Sequence, residues 1–198
     1  MLPQGAWAGH ARSMNRSGPL PASARGALPA SARSSRAGFP AHLTRRTAAL
    51  TAGIGLASLA ADAATKAWAA SALRGGHRIT LAGGLVRLQL VANHGAAFGI
   101  GAGYEPLIVA VSVAGVVLLA LWALVAATGT ERFGAALAAG GAAGNLVNRL
   151  TRPLGSVHGA VIDWIHVWFY APTFNLADVW LRGGILIAVG AWLWHRRR

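Results

Sequence analysis

The sequence predicts an all-α membrane fold, a bundle of four transmembrane helices carrying a small extracytoplasmic β-hairpin or sheet element. Three observations lead there. Of 198 residues, 55% are hydrophobic and only five are acidic, the balance of an integral membrane protein with one bundle rather than a soluble domain. Four apolar segments, 47–73, 106–127, 133–150 and 177–194, each approach the ~20 residues that a hydrocarbon core of ~30 Å requires. Arginines precede the first segment in "LTRR" and follow the last in "HRRR", which puts both termini in the cytoplasm and makes the number of spans even.

Residues 1–45 are rich in Ala, Arg, Ser, Pro and Gly, contain no acid and repeat "LPASAR" at 20–25 and 28–33. Such a low-complexity stretch cannot bury a core, so it is expected to be a disordered basic arm ahead of a membrane domain over 46–198. A translation start at Met14 or later is equally compatible with the sequence. Much of the +13 net charge therefore belongs to the two tails. Basic tails beside spans are accounted for by orientation and anionic membrane lipid, and no nucleic-acid partner is expected, because reading sequence needs basic clusters on a folded surface.

Between the first two spans, residues 74–105 should lie outside the cell. There "HRITLAGGLVRLQLVAN" alternates apolar and polar residues around Gly83 and Gly84, the pattern of a short hairpin at the membrane surface. The link "TGTER" is cytoplasmic in this topology, and the third span is built mostly of Ala and Gly. Gly140 and Gly144 give it the small-xxx-small spacing of close helix contact. Residues 151–176 return to the outer side before the last span. Arg74, Arg78, Arg87 and Arg152 also fall outside, against the charge bias, but the tails outweigh them.

The same topology sorts the acids. Asp163 and Asp178 lie at the outer surface, and Asp62, roughly fifteen residues into a helix rising ~1.5 Å per residue, reaches a similar depth. Asn93, Asn145, Asn148, Arg149 and Asn175 gather with them. Each has a plain structural reading. Asn175 can N-cap the last helix with Asp178 at N3. Asp62 and Lys66, at i and i+4, can form a simple ion pair with Lys66 snorkelling outward. Arg149 can anchor at headgroups. Asp163 resists such a reading, because "GAVIDWIHVWF" buries one acid in an apolar, aromatic stretch that a surface loop would not need.

Taken together, "DAATK" (62–66), "NHGAAFG" (93–99), "GGAAGNLVNRL" (140–150), "VIDW" (161–164) and "FNLAD" (174–178) resemble, in order, the five motifs of the lipoprotein signal peptidases, signal peptidase II. The resemblance covers roughly residues 47–195. It implies a four-span aspartic endopeptidase of the bacterial cytoplasmic membrane with its active site at the extracytoplasmic face. Its partners would be membrane lipid and diacylglyceryl-modified prolipoproteins, cut just before the lipid-modified cysteine. By motif, Asp163 and Asp178 match the catalytic aspartates. Asn93, Gly95, Phe98, Asn145, Asn148, Arg149, Asn175, Asp62 and Lys66 match positions that bind substrate or brace the site. One position departs: the third motif carries an aspartate where Asn148 stands here. Asparagine keeps a carbonyl acceptor but loses the charge that could pair with Arg149.

The residue inventory leads to the same chemistry by another route. With no cysteine, thiolate nucleophiles, disulfides and Cys-based metal sites are excluded, and neither a metal nor a cofactor is expected. Peptide hydrolysis then falls to activated water between two carboxylates that act as general base and general acid. The alternatives are a catalytically silent membrane scaffold, suggested by Asn148, and a small proton-coupled transporter. Against the latter, four short spans leave little room for inverted repeats, and the acids gather at one face instead of forming a path across.

Overall fold

The structure, a computed structural model, describes residues 44–95, 104–151 and 160–198. Most of the expected basic arm and Phe98 lie outside the described residues.

Among the described residues four long helices and four strands follow in chain order. They are α1 (Arg45–Ala72), β1 (Arg78–Leu81), β2 (Val86–Asn93), α2 (Glu105–Val125), α3 (Gly129–Thr151), β3 (Val161–Val167), β4 (Tyr170–Phe174) and α4 (Leu176–Arg196). Thr44 opens α1 by accepting the Thr47 N–H at 3.1 Å, which meets one of the amide donors a helix start leaves free. Pro106 lies in the first turn of α2, where its missing N–H costs nothing.

Only a tight turn separates α2 from α3, and a buried acid closes it. The Glu131 carboxylate accepts from Trp122 Nε1 at 2.7 Å and from the Ala127 N–H at 3.2 Å. The Glu131 N–H donates to Thr128 Oγ1 at 3.1 Å. This reciprocal arrangement resembles a capping box, side chain to backbone in both directions.

Helix α3 is the inner member of the bundle, and glycine lets it be so. A Cβ on Gly134 would lie 2.6 Å from the Ala188 amide and from the Gly184 carbonyl of α4. One on Gly140 would collide with Gly55 and Ser58 of α1, and one on Gly144 with the Asp62 carboxylate. Gly140 and Gly144 thus serve the close helix contact expected of them.

The expected span count is recovered in part. Among the described residues three helices, α1, α2 and α4, are long and apolar enough to cross a membrane. With 23 residues α3 has the length, but not the apolar composition. Its surface is spent on neighbouring helices rather than on lipid, so close approach selects Ala and Gly over Leu and Val. Large side chains such as Leu107, Val111, Leu118 and Leu121 of α2 and Leu186 of α4 stand exposed, an apolar surface suited to hydrocarbon and not to water.

The expected hairpin forms, and it belongs to a larger sheet. Strands β1 and β2 pair antiparallel with Leu81 opposite Val86, and Gly83 and Gly84 take positive φ values of 64° and 99° in the connection, a region that glycine enters without strain. Strands β3 and β4 extend the sheet in the order β1-β2-β3-β4. The chain path sets it at the end of the bundle where α1 and α3 finish and α2 and α4 begin. Trp164 of β3 meets Trp68 of α1 edge to face at 5.5 Å, and with Ala69, Leu73 and Leu88 it joins sheet to helix.

Candidate active site

A slip of one residue in the sheet decides what faces Asp163. Leu88 pairs with Ile165, yet Val91 pairs with Asp163 and Asn93 with Val161, so β2 spends three steps where β3 spends two. Opposed residues share a face, and alternate residues along a strand return to it. The extra residue in β2 therefore turns Asn93 onto the face of Asp163, where a regular register would have turned it away. Asn93 Nδ2 donates to Asp163 Oδ2 at 2.9 Å, while its Oδ1 accepts the Gly95 N–H at 3.0 Å.

The second acid arrives on a helix cap. Asn175 ends the strand segment and begins α4. Its Oδ1 accepts the Asp178 N–H at 3.0 Å, and its own N–H donates to Asp178 Oδ2 at 3.1 Å. The capping reading of these two residues holds, and it coexists with a second use of the same side chains. Asn175 Nδ2 donates to Asp163 Oδ1 at 2.6 Å and to Asn145 Oδ1 at 3.0 Å. Asn145 Nδ2 donates in turn to Asp178 Oδ1 at 3.0 Å.

These amides all point one way for a physical reason. An amide can present oxygen or nitrogen, but a backbone N–H or an ammonium can only donate. Asn93 is oriented by the Gly95 N–H, Asn175 by the Asp178 N–H and Asn145 by Lys66, whose Nζ donates to Oδ1 at 2.9 Å. In each case the NH₂ end is left for a carboxylate. The two aspartates thus receive donors from three asparagines held by groups that cannot accept.

Asp62 and Lys66 do pair, at 2.7 Å, but the outward snorkelling of Lys66 is corrected. Its side chain is 2% exposed and turns inward, because Asn145 and Asp62 supply the acceptors that the apolar surroundings lack. Asp62 Oδ1 also accepts the Ala177 N–H at 3.0 Å, fastening the first turn of α4 to the middle of α1. Arg149 donates to the Gly95 carbonyl at 2.7 Å, so it is tied to the segment that follows β2. Asn148 Oδ1 accepts the Ile162 N–H at 3.2 Å, next to Asp163. The acceptor role at this departed position is therefore filled without a charge.

A cavity of about 760 Å³ opens over this cluster, lined by Asn93, Gly95, Asn145, Arg149, Asp163, Asn175 and Asp178. Its other wall is an apolar strip of α2, from Leu107 and Ile108 through Val111 to Leu119, with Ser112 and Gly115 between. That wall was not singled out from sequence, because nothing separates it there from a lipid-facing strip of the same helix. Arg182, one turn beyond Asp178, also lines the cavity and donates to Tyr170 Oη at 3.2 Å; the signal for it was visible, a charge inside an apolar span. Burial, reinforced by the charge of Asp178, pushes the Asp163 carboxyl up to about 6 against the opposing hydrogen bonds from Asn93 and Asn175. A carboxyl so placed holds a proton that an exposed aspartate would release.

Residues 54–194, most of the chain, match the family described as Signal peptidase (SPase) II. The chain belongs to this family. As a signal peptidase II it is a peptidase and an integral membrane protein. A lipoprotein signal peptidase of Bifidobacterium adolescentis is 37% identical over 140 residues, covering 69% of this chain and 72% of that protein. One from Mycobacterium avium is 37% identical over 134 residues, 66% of this chain and 71% of its own length. A solved bacterial membrane enzyme, determined by the in meso method at 1.9 Å resolution, aligns with a TM-score of 0.62 at 22% identity, over 73% of this chain and 93% of that one. At that identity the likeness speaks for the fold alone.

Proposed function

We propose that this signal peptidase II is an aspartic endopeptidase that removes signal peptides from diacylglyceryl-modified prolipoproteins, cutting before the lipid-modified cysteine, with Asp163 and Asp178 as its catalytic pair. The observation that carries the reading is the shared donor system. Two carboxylates from different elements line one cavity and are bridged by Asn175 and Asn145.

The pair holds one proton between its members, since close carboxylates cannot both ionise cheaply. Asp163, raised by burial and by the charge of Asp178, carries it. Asp178 takes a proton from the attacking water while Asp163 donates to the scissile carbonyl oxygen. Collapse of the tetrahedral species breaks the C–N bond as Asp178 passes its proton to the departing amine and a hydroxyl of the gem-diol returns one to Asp163. Asn93 and Asn175 keep Asp163 aimed throughout. The apolar strip of α2 offers a wall for the acyl chains and the apolar part of the signal peptide.

In the proposed topology α3 is the fourth span, sheltered by the others. Both termini, marked by Arg45 and Arg46 and by Arg196, Arg197 and Arg198, face the cytoplasm, and the sheet with its cavity lies at the outer surface. The test is cleavage by the purified full chain in lipid. A diacylglyceryl-modified precursor should yield a fragment that begins at the modified cysteine, and the same precursor without lipid should stay intact. An inert parent chain on the lipidated precursor would overturn the reading.

A further inference from the structure

We propose that Lys66 is a positioning residue for the reaction, acting through Asn145: it holds and polarises that amide so that Nδ2 is delivered to Asp178. The inference rests on the peptidase reading above and adds a device to it.

An ammonium buried solely to neutralise Asp62 would have its partner within its own helix, at 2.7 Å. Lys66 does more. It crosses from α1 to α3 and donates to Asn145 Oδ1 at 2.9 Å. Asn145 Nδ2 then donates to Asp178 Oδ1 at 3.0 Å. Reversing this amide would set its NH₂ against an ammonium and its carbonyl against a carboxylate, two repulsions in place of two charge-assisted bonds. A second donor, Asn175 Nδ2 at 3.0 Å, reaches the same oxygen, but it is neutral and already shared with Asp163. Lys66 is thus the charged end of a chain, Lys66 to Asn145 to Asp178. Polarisation along such a chain strengthens the last bond.

The energetics of the pair point the same way. A buried ion pair confers little stability that well-packed apolar residues would not, so Asp62 and Lys66 are better explained by what they orient. Asp62 serves both ends of the device. Oδ2 holds the ammonium, and Oδ1 holds the Ala177 N–H at the start of α4, which fixes the helix that carries Asp178. Gly144 makes room for that carboxylate, since a Cβ there would strike it. Besides Asp62 and Asp178, the charged groups nearest this region are Asp163 and Arg149, and Arg182 and His94 line the same cavity.

The experiment is a cycle built on the full chain. Asp62→Asn/Lys66→Met removes both charges together, leaving no unpaired buried ion and keeping an acceptor for Ala177. Combined with Asn145→Ala it gives a triple variant. Thermal unfolding shows that each is folded, and kcat and KM are read on the lipidated precursor. Loss of one charge-assisted bond predicts that Asp62→Asn/Lys66→Met lowers kcat about tenfold with KM within about twofold. The triple variant should be no slower than Asn145→Ala alone, because the chain is already cut at its middle. Asp62→Asn/Lys66→Gln, which restores a neutral donor, should recover part of the rate, and it replaces the Met version in the cycle if that protein does not fold. Parent kcat in a folded Asp62→Asn/Lys66→Met protein overturns the proposal, as do losses that multiply in the triple variant. A parent that does not cleave at all overturns the peptidase reading and this inference with it.

Discussion

Two acids of this signal peptidase II, Glu131 and Asp163, are almost equally buried, at 3% and 2% exposure. Each accepts two hydrogen bonds from the protein. Glu131 takes Trp122 Nε1 and the Ala127 N–H; Asp163 takes Asn93 Nδ2 and Asn175 Nδ2. The difference is what stands beyond them. Glu131 is spent on the backbone and indole of one turn, whereas one of the Asp163 donors, Asn175, also bonds a second carboxylate, Asp178, that lines the same cavity. Burial and hydrogen bonding describe both sites, so neither property marks a catalytic acid. A second acid and an adjoining cavity are what distinguish Asp163, the acid proposed for catalysis.

The sharpest way to break this contrast is to neutralise each acid at constant size. Asp163→Asn and Asp178→Asn should each lower kcat on the lipidated precursor by on the order of 10²–10⁴-fold, with the double variant little worse than either. Glu131→Gln should leave kcat near the parent value and show its effect in thermal unfolding, about 1–3 kcal/mol for a buried bond disturbed. Rate loss in Glu131→Gln without instability would erase the distinction.

A second test reads the proton that Asp163 holds. Its folded value, about 6, lies above the ordinary 3.8, so between these limits the folded state binds more protons than the unfolded one. Stability must then fall as pH rises through that window, by up to about 3 kcal/mol for this group. Unfolding in detergent from pH 4 to 7 should show the decline, and Asp163→Asn should lack that component. The same slope in parent and Asp163→Asn proteins would show that Asp163 is not its source.

The smallest effect belongs to the departed position. Because Asn148 Oδ1 already accepts the Ile162 N–H, Asn148→Asp should change kcat by less than about threefold, the main structural bond being made in either case. An inert parent revived by Asn148→Asp would instead mark this chain as a silent relative.

Much of the site was legible as residue types in ordered motifs, because a carboxylate or carboxamide in an apolar setting must have a partner or a task. Capping by Asn175 and Asp178 was legible from local spacing, since both ends of that interaction lie within one turn. Close packing at Gly140 and Gly144 was legible for the same reason. The inward turn of Lys66 was not, because its second acceptor, Asn145, comes from a distant helix. Strands β3 and β4 were not drawn from "VIDWIHVWF", where continuous burial hides the alternation that marks a strand. The hydropathy of α3 falls short of that of the other three long helices, because its Ala and Gly answer to neighbouring helices.

Sequence by itself determined the membrane character, the order of the helices and the set of polar residues available for chemistry, because hydropathy, helix length and residue type are local properties. Tertiary structure decided which of those residues meet. The one-residue bulge in β2 turns Asn93 onto the face of Asp163, and the donor-only groups at Gly95, Asp178 and Lys66 settle which end of each amide the carboxylates see. Register and amide direction depend on partners far apart in the chain, so they exist only once strands and helices are in contact.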